Sequence, residues 1–267
     1  MTGYGDWIGR DAVAEDVLTP ATLARYRATL DLPGGHDAPP LAHWLCFLPD
    51  APTAELSEDG HPRRGGFLPP VDLPRRMWAG GRLIFHHALP VGTPLVRRST
   101  VTDVREKAGA SGRLVFVTVR RTVSAGGVLL VEEEQDLVYR EAARGGAVIP
   151  SRPVAEHGGH EREVVAGAAL LFRFSALTFN AHRIHYDRDY AREVEGYPGL
   201  VVHGPLLATL LLQEWMAAAG RRPARFAFRA ERPVFDGERF AVCVGDAGRV
   251  WVRGGDRARA MWGEVGE

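Results

Sequence analysis

LLFRFSALTFNAHRIHYDRDYAREVEGYPGLVVHGPLLATLLLQ, residues 170–213, carries the reading of the whole chain. An apolar run, 170–175, reads as a strand and leads straight into a polar strip of Asn180, His182, Arg183, His185 and Asp187. Val201-Val202-His203-Gly204-Pro205 then opens a helix over 205–219. Pro205 suits a first helical turn and Gly220 a C-terminal stop. Leu206, Leu207, Leu210, Leu211, Leu212, Trp215 and Met216 occupy almost every face of this helix, so it is expected inside the fold rather than on its surface. An imidazole beside a helix N-terminus can hold an oxyanion and move a proton, which outlines a site.

Downstream of the helix, strands are expected at 225–230, 239–244, 249–252 and 257–263; between strip and helix lie a short helix near 189–195 and a loop over 196–199. Upstream, Thr19-Pro20 marks a helix start and Pro33-Gly34-Gly35 its stop. Residues 41–74 are too dense in Pro and Gly for long regular structure. Alternating or apolar segments at 82–87, 94–104, 114–123 and 128–139 then read as an antiparallel sheet. The two halves share a spacing. Arg82-Leu83-Ile84-Phe85, four residues and Pro90-Val91 are matched by Arg225-Phe226-Ala227-Phe228, four residues and Pro233-Val234, as a duplication would leave them. The chain is expected to divide into 1–143, a linker over 144–163 rich in Gly, Pro and His, and 164–267.

Composition narrows the class. The chain has 267 residues, 45% of them hydrophobic, enough for a core, and its 33 Lys and Arg balance 33 Asp and Glu. No overall field favours nucleic acid or an anionic membrane, so any anion site must be local. The two cysteines, Cys46 and Cys243, have no metal or redox spacing, and no secretory signal or membrane span is legible; a cytoplasmic protein is expected.

Thr178-Phe179-Asn180, His182-Arg183-Ile184-His185-Tyr186-Asp187 and Gly196-Tyr197-Pro198-Gly199-Leu200 resemble the MaoC-like hydratases and dehydratases. The closest branch holds the mitochondrial-type 3-hydroxyacyl-thioester dehydratases and the mesaconyl-C4-CoA hydratases. His43-Trp44, Gly60-His61-Pro62, Gly65-Gly66-Phe67-Leu68-Pro69-Pro70 and 75–81 look like the N-terminal domain that accompanies it. The resemblance implies an α+β double hotdog, two antiparallel sheets each wrapped around a helix, with the N-terminal helix eroded. It also implies a hydro-lyase that adds water to a 2-enoyl thioester or removes it from a 3-hydroxyacyl thioester. CoA or acyl carrier protein is the carrier, no cofactor or metal is needed, and a homodimer is the expected assembly.

In the family a strip of the pattern Asp-x-Asn-Pro-x-His supplies an acid and a histidine that share a water and the α-proton. Here His185 takes the histidine's place and Asn180 the aspartate's. An amide cannot accept a proton near neutrality, so His185 is expected to carry the proton while Asn180 orients the water. The amide of Gly204 is the expected oxyanion donor, glycine also permitting close approach of the thioester. His182, Arg183, Tyr197 and His203 are expected to border the substrate, and Trp78, Met77 and Phe67 to border an acyl pocket under the loops. Simpler roles stand beside these: His182 as support, His203 satisfying backbone groups, the aromatic residues as core. A metal set of His182, His185, Asp187 and His203 fits no familiar spacing. A free second carboxylate on the substrate would need a cation, for which Arg183, Arg76 and Arg229 are candidates. Asn180 also leaves open a non-hydrating hotdog, a thioesterase or an acyl-thioester-binding subunit.

Overall fold

The computed structural model describes residues 3–109, 112–141 and 159–267. Its strands are β1 (Asp11–Val17), β2 (Arg75–Phe85), β3 (Pro94–Gly109), β4 (Gly112–Ala125), β5 (Val128–Arg140), β6 (His160–Val165), β7 (Arg225–Ala230), β8 (Arg239–Val244), β9 (Arg249–Gly254) and β10 (Arg259–Gly266). They form one antiparallel sheet in the order β1-β3-β4-β5-β2-β7-β10-β9-β8-β6. Counted outward from the β2–β7 seam, each half repeats the other position for position, as the duplicated spacing predicts. At the seam Arg82 lies opposite Ala227 and the buried Leu83 opposite the buried Phe226.

The expected helix starts are present. Thr19 accepts a hydrogen bond from the Thr22 amide and caps α1 (Pro20–Thr29), with Pro20 in the first turn. The long helix, α3 (Gly204–Ala219), ends at Gly220 in the left-handed region at φ 67°. It packs on β7, β8, β9 and β10, and Leu206 and Leu211 are wholly enclosed. Each such leucine contributes on the order of 2 kcal/mol of apolar burial. Between β1 and β2 the first half has no counterpart of α3. After α1 only 3₁₀ turns, Ala42–Leu45 and Thr53–Glu55, break the loops that lead to β2, so the inner face of that half is left with room above it.

Two expectations need correction. The run 170–175 is not a strand but part of α2 (Ala168–Thr178). Its buried positions, Leu171, Phe174 and Ser175, fall at the i, i+3, i+4 spacing of a helical stripe, and Ala and Leu dominate where a strand would carry β-branched residues. The short helix expected near 189–195 is present, as a π-helical turn over Tyr190–Val194. The edge strands β1 and β6 escaped the pattern because both are largely exposed and charged, as edges that resist further pairing are. β6 begins inside the range expected to be linker; residues 144–158 of that range lie outside the described residues. No described helix is long and apolar enough to cross a membrane.

Candidate active site

The polar strip is a turn held by its own side chains. α2 ends at Phe179, a non-glycine residue at φ 47°, and Asn180 Oδ1 accepts the His182 amide at 3.0 Å, an Asx turn that reverses the chain. A 3₁₀ turn, Arg183–His185, follows. Arg183 donates to Asp187 Oδ2 through Nε at 3.0 Å and Nη2 at 2.7 Å and lies 4.1 Å from the centroid of the Tyr190 ring. Asp187 Oδ1 accepts the Tyr190 amide at 3.0 Å. Arg183 and Asp187 therefore clamp the turn, and Arg183 is not free to hold a substrate carboxylate.

The clamp buries His185. Its Nδ1–H donates to the Val201 carbonyl at 2.7 Å, which leaves Nε2 with its lone pair as the acceptor. The ring stacks on His203 at 3.7 Å and meets His182 edge-on at 5.4 Å. His203 is fully buried, hydrogen-bonded to Ser175 Oγ at 2.8 Å, with no partner for Nδ1. Loss of water around the rings holds all three neutral: burial lowers His185 to about 4 and His182 to about 2, and pushes His203 well below the usual imidazole range. At neutral pH the site therefore offers bases rather than imidazolium ions.

A second segment reaches this turn from the first half. A tight loop closed by the Leu56–Pro62 bridge presents Asp59, Gly60 and His61. The Arg183 amide donates to the Asp59 carbonyl at 2.9 Å. Gly60 sits at φ 88°, and a β-carbon there would fall 1.8 Å from the Ala181 carbonyl oxygen, so only glycine allows this contact. His61 Nδ1–H donates to Asp59 Oδ2 at 2.9 Å, and its ring lies 4.1 Å from that of His182. One ligand atom each from Asp59, His61 and His182 falls within 4.8 Å of the others. The Asp59 oxygen is already engaged by the imidazole, and the Arg76 charge bearing on both histidines opposes a cation there, so the cluster reads as a hydrogen-bonded pair.

The room above the first half of the sheet is a cavity of about 890 Å³. Asn180, Trp78 and Phe67 line it, as expected, together with Ser175, His61 and Pro205. His185, His182, His203 and Gly204 are not on its wall; they lie behind the face that Asn180, Ser175 and Pro205 present. A β-carbon added to Gly204 would meet nothing within 4 Å, so the start of α3 is open to a close-approaching group. Its amide, like the first amides of any helix, has no intrahelical acceptor. Met77 is a correction. Strand alternation turns it away from Trp78, and it is exposed. Tyr197 packs with Phe235, Ile184, Tyr190 and Val201 and supports the turn from outside the cavity.

Charged groups that the pattern reading passed over also face the cavity. Arg97, Arg121, Glu133 and Gln135 line it, and Glu133 accepts from His43 Nε2 at 3.2 Å, Trp44 Nε1 at 3.0 Å and Gln135 Nε2 at 2.7 Å. The bonds from His43 and Gln135 and the nearby Arg121 charge hold the Glu133 carboxyl down at about 2 against its burial. The Nε atoms of Arg97 and Arg121 are buried without a partner. The signal was available: Arg97 alternates with the buried Leu95 and Ser99, and Arg121 with the buried Val119 and Val123, which puts charge on an inward face. Arg76 lines the cavity as well, whereas Arg229 is exposed on β7. Arg76 stands opposite Tyr139 on β5, six residues from Glu133, which separates the two by about 20 Å.

The family model for hydroxyacyl-thioester dehydratase type 2 matches residues 41–236. Mesaconyl-C(4)-CoA hydratase of Chloroflexus aurantiacus is 47% identical over 267 aligned residues, 96% of this chain and 94% of the relative. Among solved structures, a MaoC-like dehydratase superposes with a TM-score of 0.69 at 15% identity, over 97% of this chain and 98% of the other. A double-hotdog protein of Mycobacterium tuberculosis does so with a TM-score of 0.60 at 14% identity, over 97% and 95%.

Proposed function

Since the chain belongs to the hydroxyacyl-thioester dehydratase type 2 family and is a hydro-lyase of acyl thioesters, we propose that its substrate is a short enoyl thioester carrying a second carboxylate, mesaconyl-C4-CoA being the concrete candidate. Thioester and carboxylate then sit at opposite ends of one double bond, with the free carboxylate on Cβ. Water adds at Cβ, Cα receives a proton, and charge gathers on the thioester oxygen in between. The amide at the start of α3 suits that oxygen, Asn180 the water, and the neutral His185 the proton.

The observation that carries the reading is the placement of Arg76 on the cavity that Asn180 lines, close enough for its charge to bear on His61 and His182. A carboxylate carbon bonded to Cβ lies about 1.5 Å from it, so its cation must stand beside the reacting carbons. Arg97 and Arg121 flank Glu133, far along the sheet, and Arg183 is taken by Asp187. Arg64 also lines the cavity, but its guanidinium donates to the carbonyls of Val71, Leu73 and Pro74. Arg76 is a wall arginine with no carboxylate partner among the described residues, and its charge bears on both His61 and His182. The charged set around Glu133 supports a short acyl unit too, because a long alkyl chain would have to desolvate it.

The test follows loss of the enoyl absorbance with mesaconyl-C4-CoA and crotonyl-CoA. Mesaconyl-C4-CoA should be preferred, and Arg76→Gln should lower its kcat/KM by about 100-fold, as loss of a charged hydrogen-bonded pair does, while crotonyl-CoA hydration changes little. Equal loss on both substrates would remove Arg76 from carboxylate recognition; no turnover of either would end the reading.

A further inference from the structure

The strip has one gap. Hydration splits water between two carbons, and Asn180, where the family pattern has an acid, cannot take a proton. His182 and His185 keep a ring nitrogen without a hydrogen-bond partner, but both lie behind the cavity wall. His61 is on that wall, on the same cavity as Asn180.

We propose that Asp59 and His61 form a second acid–base unit of the site, with His61 a catalytic residue that takes the proton from the attacking water; this rests on the hydration reading above. The water oxygen bonds to Cβ, the double-bond electron pair moves toward Cα and the thioester carbonyl, and His61 Nε2 receives the released proton. Cα takes up the proton, which the row of His61, His182 and His185 holds between the two steps. Water's two hydrogens end on the new hydroxyl and on Cα, every imidazole returns to its starting form, and dehydration runs the same path backwards.

The geometry is that of an oriented base. The Asp59 carboxylate holds Nδ1–H at 2.9 Å and so fixes the tautomer that exposes the Nε2 lone pair. Asp59 is itself fixed, because the His61 amide donates to its Oδ1 at 3.0 Å. The rings of His61 and His182 are 4.1 Å apart and those of His182 and His185 5.4 Å, so the three form a continuous row. The loop is built onto the strip by a contact that only glycine allows at position 60, which a loop merely passing over the site would not need. Four groups face His61: Asp59 and Arg64 from its own loop, His182 from the strip and Arg76 from β2. Burial and the two arginines disfavour the imidazolium and Asp59 favours it, which leaves a neutral base at neutral pH.

The experiment compares the full chain with His61→Ala, His61→Gln and Asp59→Asn on whichever of the two enoyl thioesters the wild type turns over faster. His61→Gln keeps an N–H for Asp59 and so preserves the loop. Both His61 variants should lose about 100-fold or more in kcat with KM within a few-fold, and added imidazole should restore part of the rate in His61→Ala. Asp59→Asn should keep a slower reaction whose acid limb moves to lower pH, because the imidazolium has lost its counter-charge. A folded His61→Gln with kcat within about 3-fold of wild type would overturn the proposal and leave the hydratase reading standing. A wild type inactive on both thioesters would overturn that reading and this one with it.

Discussion

Burying neutral histidines side by side makes this fold acid-sensitive. The perturbation is a fall from pH 7 to pH 5. His185 is held at about 4 by burial, against about 6.5 in an unfolded chain. Its folded value is the lower one, so its contribution is complete above the unfolded value and is lost as pH falls through the window from 6.5 to 4. By pH 5 the unfolded form has bound its proton and the folded form has not, a difference of about 2 kcal/mol for this residue alone. His203 and His182 shift in the same direction and add to it. Glu133, held at about 2 against an ordinary value of about 4.5, loses its contribution only as pH falls below about 4.5, so the interval from pH 7 to pH 5 reads mainly the histidines. Urea unfolding at both pH values measures the effect. Wild type should lose at least about 2 kcal/mol, a large part of the 5–15 kcal/mol typical of a domain, and His185→Gln should lose about 2 kcal/mol less than wild type over the same interval. A wild type equally stable at pH 7 and pH 5, or a His185→Gln variant with the same loss, would refute the argument.

His185→Ala should lower hydration by about 100-fold or more while remaining folded at pH 7, and Asn180→Ala should cost less because it removes a water-orienting bond rather than a proton carrier. Asn180→Asp, which restores the family's usual acid, should keep or raise kcat. Gly60→Ala should cost about 2 kcal/mol or more in thermal unfolding and on the order of 100-fold in kcat, since the new methyl group parts the loop from the strip. Gly65→Ala is the control: it has a similar φ of 92°, but its nearest neighbour is the Pro70 β-carbon at 3.6 Å, so it should show the backbone cost without the loss of rate.

Much of the fold is legible along the chain because its causes are local. Thr19-Pro20, Gly204-Pro205 and Gly220 place helix ends by capping and by the missing proline N–H, and α3 is apolar on almost every face because most of it is enclosed. The alternating segments mark the long inner strands, and the repeated Arg, Phe, Pro and Val offsets announce two like halves. The run 170–175 misled because a short apolar stretch satisfies a strand and a buried helix equally well, and the neighbours decided between them. β1 and β6 were illegible because an exposed edge strand has no buried face to impose a period.

At the site the division is sharper. The residue types of the strip, and the replacement of an acid by Asn180, are matters of sequence alone. That Arg183 serves Asp187, that Met77 faces outward, and that His185 is a buried base stacked on His203 follow only from packing, since desolvation and pairing depend on every group that surrounds a side chain. The approach of Asp59, Gly60 and His61 to the strip is the clearest case. Nothing local in either segment encodes it; it exists because the first half lacks a long helix, and its loops fold down onto a turn carried by the second.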